Sequence, residues 1–332
     1  MLNNKQILIT GGTGSFGRAF VRYVLDNYTD VKRIVIFSRD EQKQFEMASD
    51  FSPKLYPIKY VLGDVRDKGQ LIRAMKCIDI VIHSEAIKHV PAAEQNPMEC
   101  VKTNILGSQN VIDVALDENV KQVVALSTDK SANPINVYGA SKLILEKLFV
   151  FADAEKMAQD IKFSVVRYGN IFGSKGSVVP FFIKKKEEGL LPITHEKMTR
   201  FSITLQESID LVMYTLTKGW GGEIVVPKAP SYNIVDVAKA ITPNTPYQVV
   251  GVRKGEKIDE TMFSSAESYD TVERDNYYII CPSGGRWCRE DYVQETDAKP
   301  VKDGFEYDSK TNQLFLTVND IKQLIESSNI IK

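Results

Sequence analysis

The stretch ITGGTGSFG, residues 9–17, decides the fold of this 332-residue chain. It follows the β-branched run QILIT at residues 6–10 and leads into a segment of helical periodicity. Its glycines have the spacing GxxGxxG, which permits a tight turn and lets backbone N–H groups approach a pyrophosphate at a helix N-terminus. The strand before the loop and the helix after it favour dinucleotide binding over a turn with only a structural role. The loop residues expected to contact the cofactor are Gly11, Thr13, Gly14, Ser15, Phe16 and Gly17.

Short apolar runs separated by helical segments recur along the first half of the chain. Nearly all of these runs are apolar throughout, which is typical of parallel strands buried on both faces. Strands and helices that alternate in this way predict βαβ units and an α/β fold with a Rossmann-type doubly wound parallel sheet. The predicted strands span residues 6–10, 33–37, 58–62, 79–83, 122–127 and 162–168.

The end of the second predicted strand indicates which dinucleotide the site prefers. A site that prefers NAD usually offers Asp or Glu to the ribose 2′-OH at this point, whereas this chain has Ser38, Arg39 and Asp40, followed by Lys43. Because the two cations and the hydroxyl can bind a 2′-phosphate, the sequence favours NADP over NAD. The alternative is that the cations are surface residues and that Asp40 is only a helix N-cap.

The alternating pattern ends near residue 170, which suggests two parts of unlike construction. We expect residues 1–170 to form the NADP-binding Rossmann domain. Residues 171–332 are expected to form mainly a smaller α/β substrate-binding domain, with later segments returning to the sheet. The predicted later strands are 223–226, 248–252 and 277–280, and the predicted helices are 205–217, 234–241 and 318–326.

Composition excludes several classes of protein. The chain has 42 Lys and Arg against 43 Asp and Glu, a net charge of −1, whereas nucleic-acid binders are usually strongly basic. A hydrophobic fraction of 43% is too high for a disordered chain. The four cysteines lack CxxC spacing and there are only three histidines, so no metal site is predicted. The sequence shows no signal peptide and no apolar run of about 18 residues, so we expect a cytoplasmic protein without nucleic-acid or membrane partners.

Tyr138 and Lys142 form the second chemical signal. They lie four residues apart in YGASK, so they share one face of a helix. A cation beside a phenol favours the phenolate, which can take a proton from a sugar hydroxyl while a nicotinamide takes hydride from the same carbon. The alternative is an exposed Tyr and a surface Lys, but the glycine loop upstream favours the catalytic interpretation.

With this glycine loop, Thr128, Tyr138 and Lys142, the chain resembles the extended short-chain dehydrogenase/reductase family over nearly its whole length. Within that family it is similar to the inverting UDP-N-acetylglucosamine 4,6-dehydratases, and Tyr138 favours the pseudaminic acid branch over a capsular branch that lacks this tyrosine. The motifs that carry the resemblance are STDKSANPINVYGASK (127–142), KHVPAAEQNP (88–97), SVVRYGN (164–170), GSVVPFF (176–182), MTRF (198–201) and GEK (255–257).

The resemblance implies a cycle of oxidation, elimination and reduction. Tyr138 would deprotonate the C4 hydroxyl while NADP⁺ takes the C4 hydride, and the resulting 4-ketone would acidify C5–H. Lys130, if desolvation holds it neutral, would be the base at C5, and Asp129, if protonated, would donate to the departing C6 oxygen. Hydride would return to C6, and C5 would be reprotonated on its other face. The alternative is that Asp129 and Lys130 only pair with each other at a strand end.

The resemblance also implies the ligands and the assembly. The substrate would be UDP-N-acetylglucosamine and the protein a homo-oligomer, from dimer to hexamer. Arg200 and Arg253 would face the diphosphate and uridine side, with Glu256 on a ribose or base group. The other expected substrate contacts are Lys88, Asn170, Val178, Val179, Pro180, Phe181, Phe182 and Thr194. The other expected cofactor contacts are Asp64, Val65, Ser84, Leu126, Ser127 and Ile171.

Three other functions stay open at this point. A UDP-sugar 4-epimerase would need Tyr138 and Lys142 but no Asp-Lys pair, and a retaining 4,6-dehydratase would carry Asp-Glu in its place. A non-catalytic NADP-binding sensor would typically lack the Tyr or the Lys. The chain also departs from its family at HSEAIKHV (83–90), where Ser84 and Glu85 replace small apolar residues. A buried carboxylate at Glu85 would need a partner.

Overall fold

The computed structural model describes residues 1–156, 159–174, 176–243 and 245–327, so residues 157, 158, 175, 244 and 328–332 of the two predicted domains lie outside the described part. The helices are α1 Ser15–Asn27, α2 Glu41–Asp50, α3 Lys68–Met75, α4 Val90–Gln95, α5 Pro97–Cys100, α6 Gly107–Asp117, α7 Val137–Glu155, α8 Val178–Lys185, α9 Leu205–Lys218, α10 Ile234–Ile241, α11 Arg289–Glu295 and α12 Val318–Ser327. The strands are β1 Gln6–Thr10, β2 Arg33–Ser38, β3 Ile58–Leu62, β4 Ile80–His83, β5 Gln122–Thr128, β6 Lys162–Tyr168, β7 Asn170–Ile171, β8 Leu191–Ile193, β9 Thr199–Ile203, β10 Ile224–Pro227, β11 Ser231–Asn233, β12 Tyr247–Val249, β13 Thr261–Phe263, β14 Thr271–Arg274, β15 Tyr277–Ile280, β16 Lys299–Pro300 and β17 Tyr307–Asp308.

One large sheet organises the molecule. Among the described residues it has ten strands in the order β16-β14-β15-β10-β6-β5-β4-β1-β2-β3. The seven strands from β10 to β3 are parallel, and β15, β14 and β16 extend them in antiparallel fashion. The chain leaves β1 in opposite directions toward β2 and β4, so a ligand crevice opens where these strands end. The prediction of an α/β fold with a doubly wound, mostly parallel sheet is confirmed.

The strand and helix predictions agree with the structure within about one residue, with one exception. The predicted strand 248–252 ends at Val249 because Gly251 has a φ of +91°, a left-handed conformation that breaks an extended chain. The other strand predictions agree because each buried strand sends successive side chains to opposite faces that are both covered, so its sequence is apolar throughout. Ile7 and Ile9 face the α1, α2 and α9 side, while Leu8 faces the α3, α6 and α7 side.

A separate apolar cluster lies in the second half of the chain. It joins α8, α10 and α12 with β8 through Val179, Phe182, Leu191, Ile234 and Ile321, all of them buried. In contrast, α9 packs on α1, and β10 continues the large sheet beside β6. The second half therefore contributes both a cap and four strands of the large sheet.

A buried ion group joins the sheet to the turn that follows β5. The Arg167 guanidinium is fully buried and donates to both oxygens of Glu146, at 2.9 and 2.7 Å, and to the Met262 carbonyl at 2.8 Å. Glu146 also accepts from the Ser131 hydroxyl at 2.7 Å. Because Ser131 ends the Asp129–Ser131 turn, this group fixes that turn relative to β6 and β13.

We expect Arg167→Met to lower the free energy of unfolding by about 3–5 kcal/mol, because it leaves the Glu146 carboxylate buried without its cation. Urea unfolding followed by circular dichroism measures this change. The control is Lys228→Ala, which removes a partly exposed pair with Glu273 and should cost less than about 1 kcal/mol. Equal losses in the two variants would contradict the role given to the buried group.

Candidate active site

The glycine loop forms the base of the crevice between β1 and β4. Gly11 has a φ of +63°, and a Cβ there would lie 2.9 Å from the Cα of Glu85, so the two loops touch through their backbones. A Cβ on Gly17 would collide with the backbone of Gly12, so α1 can begin close to β1 only with glycine there. Within the described chain, Gly14 caps α1 without a side-chain hydrogen bond. The first N–H groups of α1 are thus left for an anion.

Two loop residues predicted to contact the cofactor instead direct their side chains into the core. Phe16 stacks on Phe20 with ring centroids 5.7 Å apart, and Val65 is fully buried. Any cofactor contact from Phe16 or Val65 would therefore come from backbone atoms. Thr13 and Ser38 do meet, with their hydroxyl oxygens 3.0 Å apart, and so join the glycine loop to the end of β2.

The residues after β2 pair with one another. Asp40 caps α2 by accepting from the Lys43 backbone at 2.9 Å, and its carboxylate lies 2.7 Å from the Lys43 ammonium. The half-exposed Arg39 lies 3.8 Å from Asp64 and 3.9 Å from Glu85. Both cations predicted to bind a 2′-phosphate lie beside this end of the crevice, while Asp40 serves as the N-cap.

Glu85 is the unusual group in the cofactor wall. It is buried, its Oε2 has no hydrogen-bond partner among the described residues, and its nearest cation is Arg39 at 3.9 Å. Burial, reinforced by the neighbouring Asp64, raises the pKa of Glu85 to about 7. The buried Glu85 carboxylate thus has a cationic partner in Arg39, but at 3.9 Å the contact is too long for a hydrogen bond. Its neighbour Ser84 donates to the Thr10 carbonyl at 2.6 Å, which secures the loop after β4.

The end of β5 carries the main chemical group, formed by Asp129, Lys130 and Glu260. The Lys130 Nζ lies 2.9 Å from Asp129 Oδ1 and 3.2 Å from Glu260 Oε1, and it donates to Asn170 Oδ1 at 3.3 Å. Asp129 is fully buried, accepts from the Thr128 hydroxyl at 2.9 Å, and has an Oδ2 with no partner among the described residues. An acid–base pair is thus held at the carboxyl end of a central strand.

The charge state of Lys130 differs from the expectation of a neutral amine. Burial alone would lower the pKa of the Lys130 ammonium, but the charges of Asp129 and Glu260 outweigh burial and raise that pKa. Desolvation alone favours a neutral amine, but the second carboxylate, Glu260, comes from a segment 130 residues away in the sequence and adds its charge to that of Asp129. Lys130 is therefore an ammonium in this arrangement and must lose a proton before it can act as a base.

Tyr138 and Lys142 also differ in part from the expectation. Burial raises the pKa of Tyr138 to about 12, and the charge that most opposes this shift is Lys130, with a hydrogen bond to Thr128 acting in the same direction. Lys142 is buried, and burial lowers its pKa to about 8. The cation that most favours the Tyr138 phenolate is therefore Lys130 rather than Lys142.

Several predicted substrate residues lie in the wall of the site. Arg200 is buried and donates to the carbonyls of Thr199, Ile258 and Lys257 at 2.7–2.9 Å, so its guanidinium holds the chain and is not open toward a diphosphate. Arg253 is exposed and pairs with Glu256 at 3.0 Å.

The predicted substrate residues of α8 lie on different faces of that helix. Val179 and Phe182 are buried in the second apolar cluster, since their spacing of three puts them on the inner face of the helix. Phe181 is exposed, and Val178 and Pro180 are half-buried. These three, with the exposed Lys88 and the half-buried Thr194, stay predicted contacts.

The cofactor residues that remain lie along the same crevice. Ser127 has a buried hydroxyl without a partner in the described part of the chain, Leu126 is buried, and Ile171 is half-buried in β7. The residue that sequence reasoning missed is Glu260. Its only signal was its position three residues after GEK, in a segment whose distance from Lys130 depends on the fold.

Two other kinds of feature are absent from the part of the chain that the structure describes. No described helix is both long enough and apolar enough to cross a membrane. The same residues contain no group of three or more His, Cys, Asp or Glu side chains arranged to hold a metal ion.

We expect Glu85→Gln to stabilise the protein at alkaline pH. Because the carboxyl has a raised pKa when folded, the cost of ionising it is absent below the ordinary value of 4.5, grows as pH rises, and is complete above about 7. The free energy of unfolding of the variant relative to wild type should therefore rise by about 3 kcal/mol between pH 4 and pH 8. Urea unfolding at both values measures it, with the exposed Glu187→Gln as control. A difference independent of pH would contradict the expectation.

Comparisons with known proteins place this geometry among nucleotide-sugar enzymes. The family model described as polysaccharide biosynthesis protein matches residues 7–282. A Campylobacter jejuni subsp. jejuni serotype O:2 protein named UDP-N-acetylglucosamine 4,6-dehydratase (inverting) is 49% identical over 332 residues, 98% of each chain. A Rickettsia bellii (strain OSU 85-389) protein named UDP-glucose 4-epimerase is 43% identical over 294 residues, 86% of this chain and 85% of its own. The X-ray structure of Pen from Bacillus thuringiensis has a TM-score of 0.90 at 33% identity and covers 99% of each chain.

Proposed function

Because the chain belongs to the polysaccharide biosynthesis protein family, we propose that it is a configuration-inverting UDP-N-acetylglucosamine 4,6-dehydratase that uses NADP. The product would be UDP-2-acetamido-2,6-dideoxy-β-L-arabino-hex-4-ulose. The observation that carries the proposal is the Asp129–Lys130 pair, 2.9 Å apart, beside Tyr138 at the end of β5. The Campylobacter jejuni relative with this named activity matches 98% of the chain.

The crevice suits a nicotinamide dinucleotide. The left-handed turn at Gly11 and the uncapped start of α1 suit a pyrophosphate, and a Cβ at Gly11 would press against the backbone of Glu85. Arg39 and Lys43 at the end of β2 support NADP over NAD. When bound, the cofactor supplies the carbon that accepts hydride from C4 and later returns it to C6.

Oxidation at C4 requires Tyr138 to accept the hydroxyl proton. Its raised pKa means that the phenol is protonated at rest, so the phenolate forms only with help from neighbouring charges. Lys130 lowers the cost through its charge, and Thr128 does so through its hydroxyl. The new ketone then acidifies the proton on C5.

Elimination needs two groups of opposite proton state at adjacent carbons. Lys130, as an amine, takes the C5 proton, and Asp129, as an acid, gives a proton to the C6 oxygen, which departs as water. The buried Asp129 Oδ2 has no hydrogen-bond partner within the described residues, so none of them competes for the proton it would donate. An Asp-Lys pair, in place of the Asp-Glu of retaining relatives, supports a different proton geometry and inversion at C5.

The wider setting is proposed from the family resemblance. Tyr138 supports a place in pseudaminic acid synthesis, and the resemblance supports a cytoplasmic homo-oligomer. The division into a cofactor domain (1–170) and a mainly substrate-binding domain (171–332) also remains a proposal.

A UDP-sugar 4-epimerase is the second candidate, because a Rickettsia bellii relative 43% identical carries the name UDP-glucose 4-epimerase. An epimerase returns hydride to C4 and leaves C5 and C6 intact. It would need Tyr138 but gains nothing from a buried acid–base pair. The geometry at Lys130 therefore favours the dehydratase.

We expect the protein, incubated with UDP-N-acetylglucosamine in heavy water, to give a 4-keto-6-deoxy sugar with deuterium and inverted configuration at C5, because the C5 proton passes through an exchangeable base. Proton and carbon NMR of the product measure both. Lys130→Ala is expected to keep bound cofactor and to lose C5 exchange by at least about 100-fold.

The outcomes separate the candidates. A product changed only at C4 would identify an epimerase and reject the dehydratase proposal. Deuterium at C5 with retained configuration would identify a retaining dehydratase. Unchanged exchange in Lys130→Ala would remove Lys130 from the role of base.

A further inference from the structure

Glu260 is a buried carboxylate that no step of the proposed reaction yet uses. It is the residue immediately before β13 and is only 2% exposed. Its backbone is fixed at both ends, since its N–H donates to the Ser309 hydroxyl at 2.9 Å and its carbonyl accepts from the Ser309 N–H at 2.8 Å. The fold thus fixes the backbone from which this side chain projects.

The two oxygens of Glu260 have different surroundings. Oε1 lies 3.2 Å from the Lys130 Nζ and 3.8 Å from the Arg200 Nε. Oε2 lies 4.0 Å from the Lys257 Nζ, is buried, and has no hydrogen-bond donor in the described chain. Arg200 and Lys257 are themselves committed to backbone carbonyls, at Ile258 and Ala132 among others. Among the described residues, Lys130 is therefore the cation nearest to Glu260.

The reaction creates a need for a second carboxylate at this point. Lys130 must lose a proton before it can act at C5, while Asp129 must hold a proton of its own to release the C6 oxygen. If Asp129 already carries that proton, it cannot also take the one from Lys130. Glu260 Oε1 is the other carboxylate oxygen within 3.2 Å of the ammonium.

We propose that Glu260 is the proton-accepting partner of Lys130. A proton moves from Nζ to Oε1, which leaves an amine and a carboxylic acid. The amine lone pair takes the C5 proton, and the electron pair of the C–H bond becomes the enolate of the 4-ketone. Lys130 and Glu260 then each carry a proton. One of these is returned to C5 on its other face through exchangeable donors, which restores the ammonium–carboxylate pair. This inference rests on the proposed dehydratase function.

The sign of the effect in Glu260→Gln tests the proposal. If Glu260 accepts the proton, the amide cannot, and C5–H exchange is expected to fall by about 100-fold or more. If Glu260 acts only through its charge, removing that charge makes the amine easier to form, and exchange would rise. Oxidation at C4, followed as reduced-cofactor absorbance in a single turnover, is expected to fall much less than exchange, because Glu260 does not touch that carbon and acts on Tyr138 only through the charge of Lys130.

Two further variants keep the test decisive. Glu260→Asp preserves an ionisable carboxylate and should recover part of the exchange, which a packing role would not explain. Glu306→Gln removes an exposed carboxylate that accepts from Thr261 in the adjacent strand, and it should behave as wild type. Bound cofactor and the thermal unfolding midpoint are measured for each.

Exchange in Glu260→Gln at or above the wild-type rate would overturn the proposal. A parallel loss of exchange, C4 oxidation and bound cofactor would also overturn it and assign Glu260 a structural role. If the wild-type protein itself gives no C5 exchange, the dehydratase function fails instead, so the two failures are distinguishable.

Discussion

The ion group of Lys130 with Asp129 and Glu260 is the interaction on which the active site depends. One ammonium lies 2.9 and 3.2 Å from two carboxylates that are both nearly fully buried. Burial of such a group is costly unless geometry and neighbouring charges compensate. Here they outweigh burial and raise the pKa of Lys130. The same three side chains would donate and accept the protons in the proposed elimination of water. The free-energy cost of burying them is therefore a requirement of the proposed reaction.

The fold holds this group from three directions. Strand β5 delivers Asp129 and Lys130 to the crevice where the chain order of the sheet reverses. The Arg167–Glu146 pair fixes the following turn through Ser131, and Arg200 holds the segment before Glu260 through the Ile258 carbonyl. The chemistry of the site thus depends on contacts between segments that are far apart in the sequence. The loss of stability expected for a substitution of Arg167 has the same origin.

Local patterns made much of this site predictable. Continuous apolar runs predict the buried strands of the sheet. The glycine spacing predicts a turn whose backbone can lie close to a ligand, and so it predicts the cofactor crevice. The Asp-Lys pair was found because its members are adjacent in the chain. The charge state of Lys130 is not predictable in this way, because it depends on Glu260, which is distant in the sequence and lies near Lys130 only in the folded chain. The sequence likewise predicts Arg200 at a diphosphate, because it does not show the backbone carbonyls of Thr199 and Lys257 to which the Arg200 guanidinium donates. The motif GSVVPFF predicts substrate contacts along its whole length, whereas helical spacing places Val179 and Phe182 in the second apolar cluster.

The most direct test of the central claim is a crystal structure of the protein with oxidised cofactor and UDP-N-acetylglucosamine bound. The account predicts Tyr138 at the C4 oxygen, the Lys130 Nζ within about 3.5 Å of C5, and Asp129 within hydrogen-bond distance of the C6 oxygen. A hexose with Tyr138 at C4 but with C5 and C6 turned away from Lys130 and Asp129 would contradict it.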